Sequence, residues 1–182
     1  MKVLIVVDMQ KDFIDGALGT EEAIAIVDNV VKRIEHSVGE VVLFTLDTHQ
    51  ENYLETPEGR NLPVIHCIEG TEGWQMNETV RKAWRDNKNT IIIPELSENT
   101  FTKPVFGSVD LVAFLESHAE NITEIKLIGL CTDICVVSNA IMIKNTLPHI
   151  KITVNSDCCA GVTPKSHNEA LNVMKMCHID II

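Results

Sequence analysis

Short apolar, β-branched runs alternate along the chain with longer stretches of helical periodicity. Lys2–Val7, Val41–Leu46, Thr90–Pro94, Ile125–Leu130, Ile150–Val154 and Ile179–Ile182 each have the continuous hydrophobicity of a strand buried on both faces. Between them the spacing predicts helices over Glu21–His36, Trp74–Asn87, Val109–His118, Asp133–Asn145 and Pro164–Cys177. In the first of these, Ala23, Val27, Val30, Val31 and Ile34 share one face, with Glu and Lys on the other. Pro164 suits a first helical turn, with Thr163 as its N-cap. Such alternation implies an α/β fold: one domain over residues 1–182, a doubly wound sheet of about six parallel strands with helices on both faces. The long non-periodic stretch His49–Gly73 has a length that in compact domains usually signals function.

Composition narrows the classes. Hydrophobic content of 45% with 23% charged residues is that of an ordinary globular protein. A net charge of −11, from 26 acidic and 15 basic residues, disfavours nucleic acid and anionic membrane as partners, since both need a basic footprint. The apolar run after Met1 is too short for a signal peptide or a membrane span, and no other run approaches spanning length. The expectation is a cytoplasmic protein. The six cysteines contain no CxxC pair, so they read as free thiols rather than a zinc ribbon or a redox motif.

In a parallel sheet, ligands bind beyond the carboxyl ends of the strands. Asp8-Met9-Gln10 follows the first run and Asp47-Thr48-His49 the second. Phe101-Thr102-Lys103 follows the third, and the fourth leads into Cys131-Thr132-Asp133-Ile134-Cys135. A thiol, an acid, a lysine and metal-ligand side chains therefore converge on one edge. Cys135, at a helix start, is the candidate nucleophile, and its thiol is expected to be acidified by the helix N-terminus. Cys131 is expected to pack its side chain and offer its backbone N–H to an oxyanion. Asp8 is the candidate general acid/base, and Lys103, held extended by Pro104, the candidate cation beside it. Asp47 and His49 lie on one side of an extended segment, with Glu58 and His66 further along. That set suits zinc, iron or manganese better than calcium.

With these residues in view, the sequence resembles the nicotinamidase/isochorismatase-like cysteine hydrolases over essentially the whole chain. The resemblance rests on VVDMQKDF (Val6–Phe13), DTH (Asp47–His49), HCIEGTEGW (His66–Trp74), FTKPVFGS (Phe101–Ser108) and GLCTDICV (Gly129–Val136), in that order; SDCCAGVTPKSHNEAL (Ser156–Leu171) resembles the late strand-to-helix segment. It implies a catalytic triad of Asp8, Lys103 and Cys135, an oxyanion hole from the N–H groups of Cys131 and Cys135, and a cis peptide at Leu130–Cys131. It also implies a divalent metal, zinc first, held by Asp47, His49 and His66 with Glu58 as a further ligand. Phe13, Gln10 and Phe106 are then expected to touch the substrate, a small-molecule amide, in a homo-oligomer. Pro63 stands where many nicotinamidases carry a tryptophan that packs on the pyridine ring. The expected activity is hydrolysis of nicotinamide, with a related amidase acting on a carbamoyl or ureido compound as the alternative. A non-catalytic binding module is the distant one, since the first turn, DMQKDF, has no GxGxxG.

Overall fold

The computed structural model describes residues 1–182. Six parallel strands run β1 (Lys2–Val7), β2 (Glu40–Asp47), β3 (Thr100–Lys103), β4 (Glu124–Leu130), β5 (Lys151–Ala160) and β6 (Asp180–Ile181), in the spatial order β3-β2-β1-β4-β5-β6. The chain is wound outward from β1 in both directions, so the switch point lies between β1 and β4. Helices α1 (Lys11–Ile14), α2 (Glu21–Glu35), α3 (Pro57–Asn61), α4 (Glu78–Asp86), α5 (Val109–Ser117), α6 (Val137–Thr146) and α7 (Pro164–Met176) make the connections.

Alternation within the buried strands sorts side chains to two cores. Val3, Ile5, Val7 and Leu43 point to α5, α6 and α7, meeting Leu115, Ile143 and Met174. Leu4, Val6, Val42 and Phe44 point to α2 and α4, meeting Val30, Ile34 and Trp84. Burial on both faces explains why these strands read as unbroken apolar runs, each side chain contributing about 1.5–3 kcal/mol. Helix starts are written locally. Thr20 accepts from the Ala23 N–H at α2, and Thr163 and Ser166 form a reciprocal capping box at α7, with Pro164 in its first turn.

One expected strand is not formed. Thr90–Pro94 is irregular, and the third strand is the following segment, Thr100–Lys103, in register with Phe44–Asp47. Asn99 explains the displacement. Its amide donates to the carbonyls of Val42 and Ile91 and accepts from the Ile93 N–H, occupying the bonds a strand would have made. Pro94 has no N–H to give in any case. Lys103 is therefore the last residue of a strand, rigidly held, rather than a loop residue beyond one. Other boundaries move as well: β5 continues to Ala160 past an irregularity opposite Leu127–Gly129, α4 starts only at Glu78, capped by Asn77, and α6 only at Val137, after a wide turn over Thr132–Val136.

At the switch point Gly129 pairs with Val7 at φ 114°, and a Cβ there would stand 2.1 Å from the Val7 carbonyl oxygen. Only glycine allows this approach of β1 and β4.

Candidate active site

Four adjacent strands, β3, β2, β1 and β4, each deliver one group to the same point. Asp8 follows β1 in the left-handed region, at φ 46°, a conformation that aspartate tolerates better than most residues. Its N–H donates to the Thr45 carbonyl at 3.1 Å and its Oδ1 accepts from the Thr45 hydroxyl at 2.6 Å. Asp47 ends β2 opposite Lys103, which ends β3. After the cis Leu130–Cys131 peptide at the end of β4, the chain makes one wide turn in which the Val136 N–H reaches the Cys131 carbonyl. Cys135 lies on that turn, buried against the ends of the other strands.

Lys103 is the hub. Its Nζ lies 2.7 Å from Asp8 Oδ2, 3.1 Å from Asp47 Oδ1 and 3.4 Å from Cys135 Sγ, and the side chain is 1% exposed. Burial alone would lower its pKa, but Asp8, Cys135 and Asp47 outweigh that and hold it well above the usual lysine range. Burial raises the Asp8 pKa, with Asp47 adding to the rise, and the Lys103 ammonium opposes it only in part. Burial would also raise Asp47, yet the rings of His49 and His66 and the charge of Lys103 hold it well below the usual carboxylate range.

The thiol differs from its expected state. Burial and the neighbouring Asp8 push Cys135 well above the ordinary thiol value, and Lys103 lowers it only in part. The expected acidification by a helix start is opposed because the thiol is desolvated beside a carboxylate. Cys131 likewise is pushed up to about 12, by burial and then by Asp133 and Asp8. Its backbone N–H has no backbone acceptor. All six cysteines are free. Asp133 accepts from the Val162 N–H instead of facing the thiol.

Beside this hub, ligand-type atoms of Asp47, His49, Glu58 and His66 lie within 4.8 Å of one another. Asp47 Oδ2 is 2.9 Å from His49 Nε2 and 3.6 Å from His66 Nε2, and Glu58 Oε1 is 3.8 Å from His49 Nε2. His66 Nδ1 is 2.8 Å from the Val64 carbonyl, so Nδ1 carries the hydrogen and Nε2 keeps its lone pair toward the cluster. Buried His49 Nε2, though only 2.9 Å from Asp47 Oδ2, makes no aligned hydrogen bond. A buried imidazole nitrogen without an aligned partner, facing two carboxylates and a second imidazole, fits a divalent cation.

The long loop is folded to make this cluster. His49 N–H bonds the Cys67 carbonyl, and the Cys67 N–H bonds Asp12, pinning His66 beside His49. Tyr53, the one tyrosine of the chain, packs its ring 4.6 Å from that of His49 and 4.9 Å from that of His66. Its hydroxyl donates to the Leu62 carbonyl.

A cavity of about 200 Å³ opens over Cys135, walled by Phe13, Leu62, Phe106, Ile134, Val162 and the metal-type ligands Asp47, Glu58 and His66. Phe13 stands edge-on to His66, ring centroids 5.5 Å apart. Gln10, expected at the substrate, does not line this cavity. Its amide is consumed by the Asp47 N–H, the Asp47 carbonyl and the Trp74 carbonyl, so it positions Asp47. Sequence reasoning missed Tyr53, Thr45 and Asn139. Asn139 accepts from the Ser108 N–H and donates to the carbonyls of Phe106 and Cys135, tying the cavity wall to the thiol's turn. The signal for Thr45 was a lone hydroxyl inside an apolar strand. Tyr53 was marked by being a solitary aromatic between two ligand-type residues; nothing in the sequence marked Asn139.

The chain as a whole has known counterparts. The family model of the isochorismatase domain matches residues 2–182. The chain belongs to the isochorismatase family. As a family member it is 27% identical over 176 residues to an uncharacterized isochorismatase family protein, PncA, of Bacillus subtilis, covering 94% of this chain and 92% of that one. The crystal structure of nicotinamidase PncA from Bacillus subtilis matches with a TM-score of 0.80 and 30% identity, over 99% of this chain and 98% of that one. That of pyrazinamidase of Pyrococcus horikoshii in complex with zinc matches with a TM-score of 0.75 and 25% identity, over 100% and 98%. No helix of this isochorismatase-family chain is long and apolar enough to cross a membrane.

Proposed function

We propose that this chain is a cysteine amidohydrolase of the nicotinamidase kind, converting nicotinamide and water to nicotinate and ammonia. The observation that carries the reading is the buried Lys103 ammonium, held within 2.7 to 3.4 Å of a carboxylate that can accept a proton and a thiol that can lose one. The nicotinamidase and pyrazinamidase among its structural relatives support the substrate class.

Asp8 takes the proton of the Cys135 thiol, and Lys103 stabilises the thiolate as it forms. The sulfur lone pair attacks the carboxamide carbon while the carbonyl electron pair moves to oxygen. The N–H groups of Cys131 and Cys135 hold that oxyanion. Asp8 then gives its proton to the departing ammonia, leaving a thioester on Cys135. Water, deprotonated by Asp8, attacks the thioester and releases the acid, with the proton returning to sulfur. A rest-state thiol that is hard to ionise keeps proton removal tied to substrate binding, when water leaves and the oxyanion donors engage. Asp47, His49, Glu58 and His66 would hold a divalent cation, zinc by its nitrogen and oxygen donors, whose chemistry is to anchor a heteroatom of the substrate ring as a Lewis acid. Phe13 and Phe106 flank the ring and exclude water.

Ammonia release from nicotinamide by the wild-type protein and by Cys135→Ala tests the reading. The variant is expected to lose activity by a factor of about 10⁴ or more. Wild-type rates from Cys135→Ala would sink it.

A further inference from the structure

The cavity over Cys135 is small, about 200 Å³. Ligand pockets more commonly span roughly 300–1,000 Å³. Against its outer side lies a cleft of about 610 Å³ between α3 and the Pro104–Phe106 segment. The two spaces share Glu58, Leu62, Phe106 and Ile134 in their walls, so they adjoin across these side chains rather than being separated by packed core. Beyond that boundary the cleft has an apolar side at Val105 and a hydrogen-bonding side at Asn52 and Asn61.

Large apolar side chains left open beside a catalytic cavity need a reason. Leu62, Val105 and Phe106 are 37%, 53% and 46% exposed, all on this one cleft. Scattered surface apolar residues are ordinary, but a contiguous group next to a reacting centre marks a place where a ligand sits. The cleft is lined by no lysine or arginine, and its one acid, Glu58, belongs to the metal-type cluster. Apart from His49, which belongs to the same cluster, it presents no cationic side chain, and it offers donors and acceptors to a neutral group.

From this continuity, and resting on the amide reading above, we infer that the cleft is an outer subsite for the substrate. The carboxamide and its ring occupy the inner cavity, and a neutral, hydrogen-bonding substituent on the ring passes Leu62 and Phe106 into the cleft. Leu62 is the gate residue. Its backbone is fixed by the Tyr53 hydroxyl at 2.9 Å, so its side chain meets the passage from a set position. The substrate class thereby widens from unsubstituted nicotinamide to ring-substituted aromatic amides.

The test measures ammonia release from nicotinamide and from positional isomers carrying a hydroxyethoxy arm on each free ring carbon. At least one isomer is expected to match nicotinamide in kcat/KM or exceed it. Asn52→Trp, which fills the cleft, is expected to lower the extended-to-parent ratio of kcat/KM about tenfold, through KM. Leu62→Ala, which widens the passage, is expected to raise the same ratio. Hydrolysis of nicotinamide with no extended isomer accepted overturns the outer subsite alone, as does a ratio unmoved by both substitutions. No hydrolysis of any amide removes the amide reading and this inference with it.

Discussion

Asp8 and Asp47 are two buried aspartates at the ends of adjacent strands, and both touch the same ammonium, at 2.7 and 3.1 Å. Their protonation equilibria nevertheless move in opposite directions. Asp8 is raised, because it is fully desolvated with Lys103 as its only cation and Asp47 as a neighbouring negative charge. Asp47 is lowered despite its burial, because two histidine rings and Lys103 surround it. Two carboxylates pushed apart by their surroundings suit different work in the proposed reaction: the raised one would shuttle protons, and the lowered one would hold a cation. Lys103 belongs to both halves, coupling the thiol side of the site to the metal side.

Neutralising each aspartate in turn, with its shape kept, separates the two roles most strongly. Asp8→Asn is expected to lower kcat for nicotinamide by about 10²–10⁴-fold, the range of a lost general base, with metal content unchanged. After loading with zinc, Asp47→Asn is expected to lose the metal on dialysis, read by elemental analysis, a loss Asp8→Asn does not share. Swapped outcomes would end the division of labour. The wild-type acid limb should also lie above the ordinary carboxylate range. The Asp8 pKa is raised, and protonating Asp8 as the pH falls removes the base.

Removing the shared cation comes next in size. Lys103→Met leaves two carboxylates facing each other in a buried site. It is expected to destabilise the fold by about 3–5 kcal/mol in urea titration at neutral pH. A variant as stable as wild type would mean the aspartates do not depend on that charge.

The smallest effect belongs to an ion-pair group on the surface. Glu98 meets Arg81 at 2.7 Å and also pairs with Arg85, but its side chain and those of both arginines remain in reach of water. Despite partial burial, the arginines hold its pKa below the usual value. Its stabilisation is therefore present above the unfolded-state pKa and is lost as the pH falls through the folded one. Glu98→Gln is expected to cost about 0.2–1 kcal/mol at pH 7 in the same titration, and less in high salt. A cost as large as that of Lys103→Met would erase the contrast between buried and exposed charge.

Much of the site was legible because a parallel sheet turns a sequence pattern into a place: residues just past buried apolar runs come to one edge. Asp8, Asp47 and the Cys131–Cys135 turn follow that rule. Lys103 reached the same edge by another route, since the third strand formed at Thr100–Lys103 instead of Thr90–Pro94. Periodicity could not foresee this. Three consecutive isoleucines have strand character, but the competition for the β2 edge was decided by the Asn99 amide. Gln10 was misread for a similar reason. A polar residue beside a site can face the ligand or brace the backbone, and only its three bonds to Asp47 and Trp74 distinguish these.

By itself, the sequence determined the layers, the direction of the strands and the set of side chains available at their carboxyl ends, because burial and periodicity act locally along the chain. Their partners and the direction in which each is shifted come from the tertiary structure. The Cys135 thiol, expected to be acidified at a helix start, is pushed the other way by burial and by Asp8. The same enclosure pushes two like aspartates to opposite states. Desolvation and the sharing of one ammonium are through-space quantities, and no spacing along a chain encodes them.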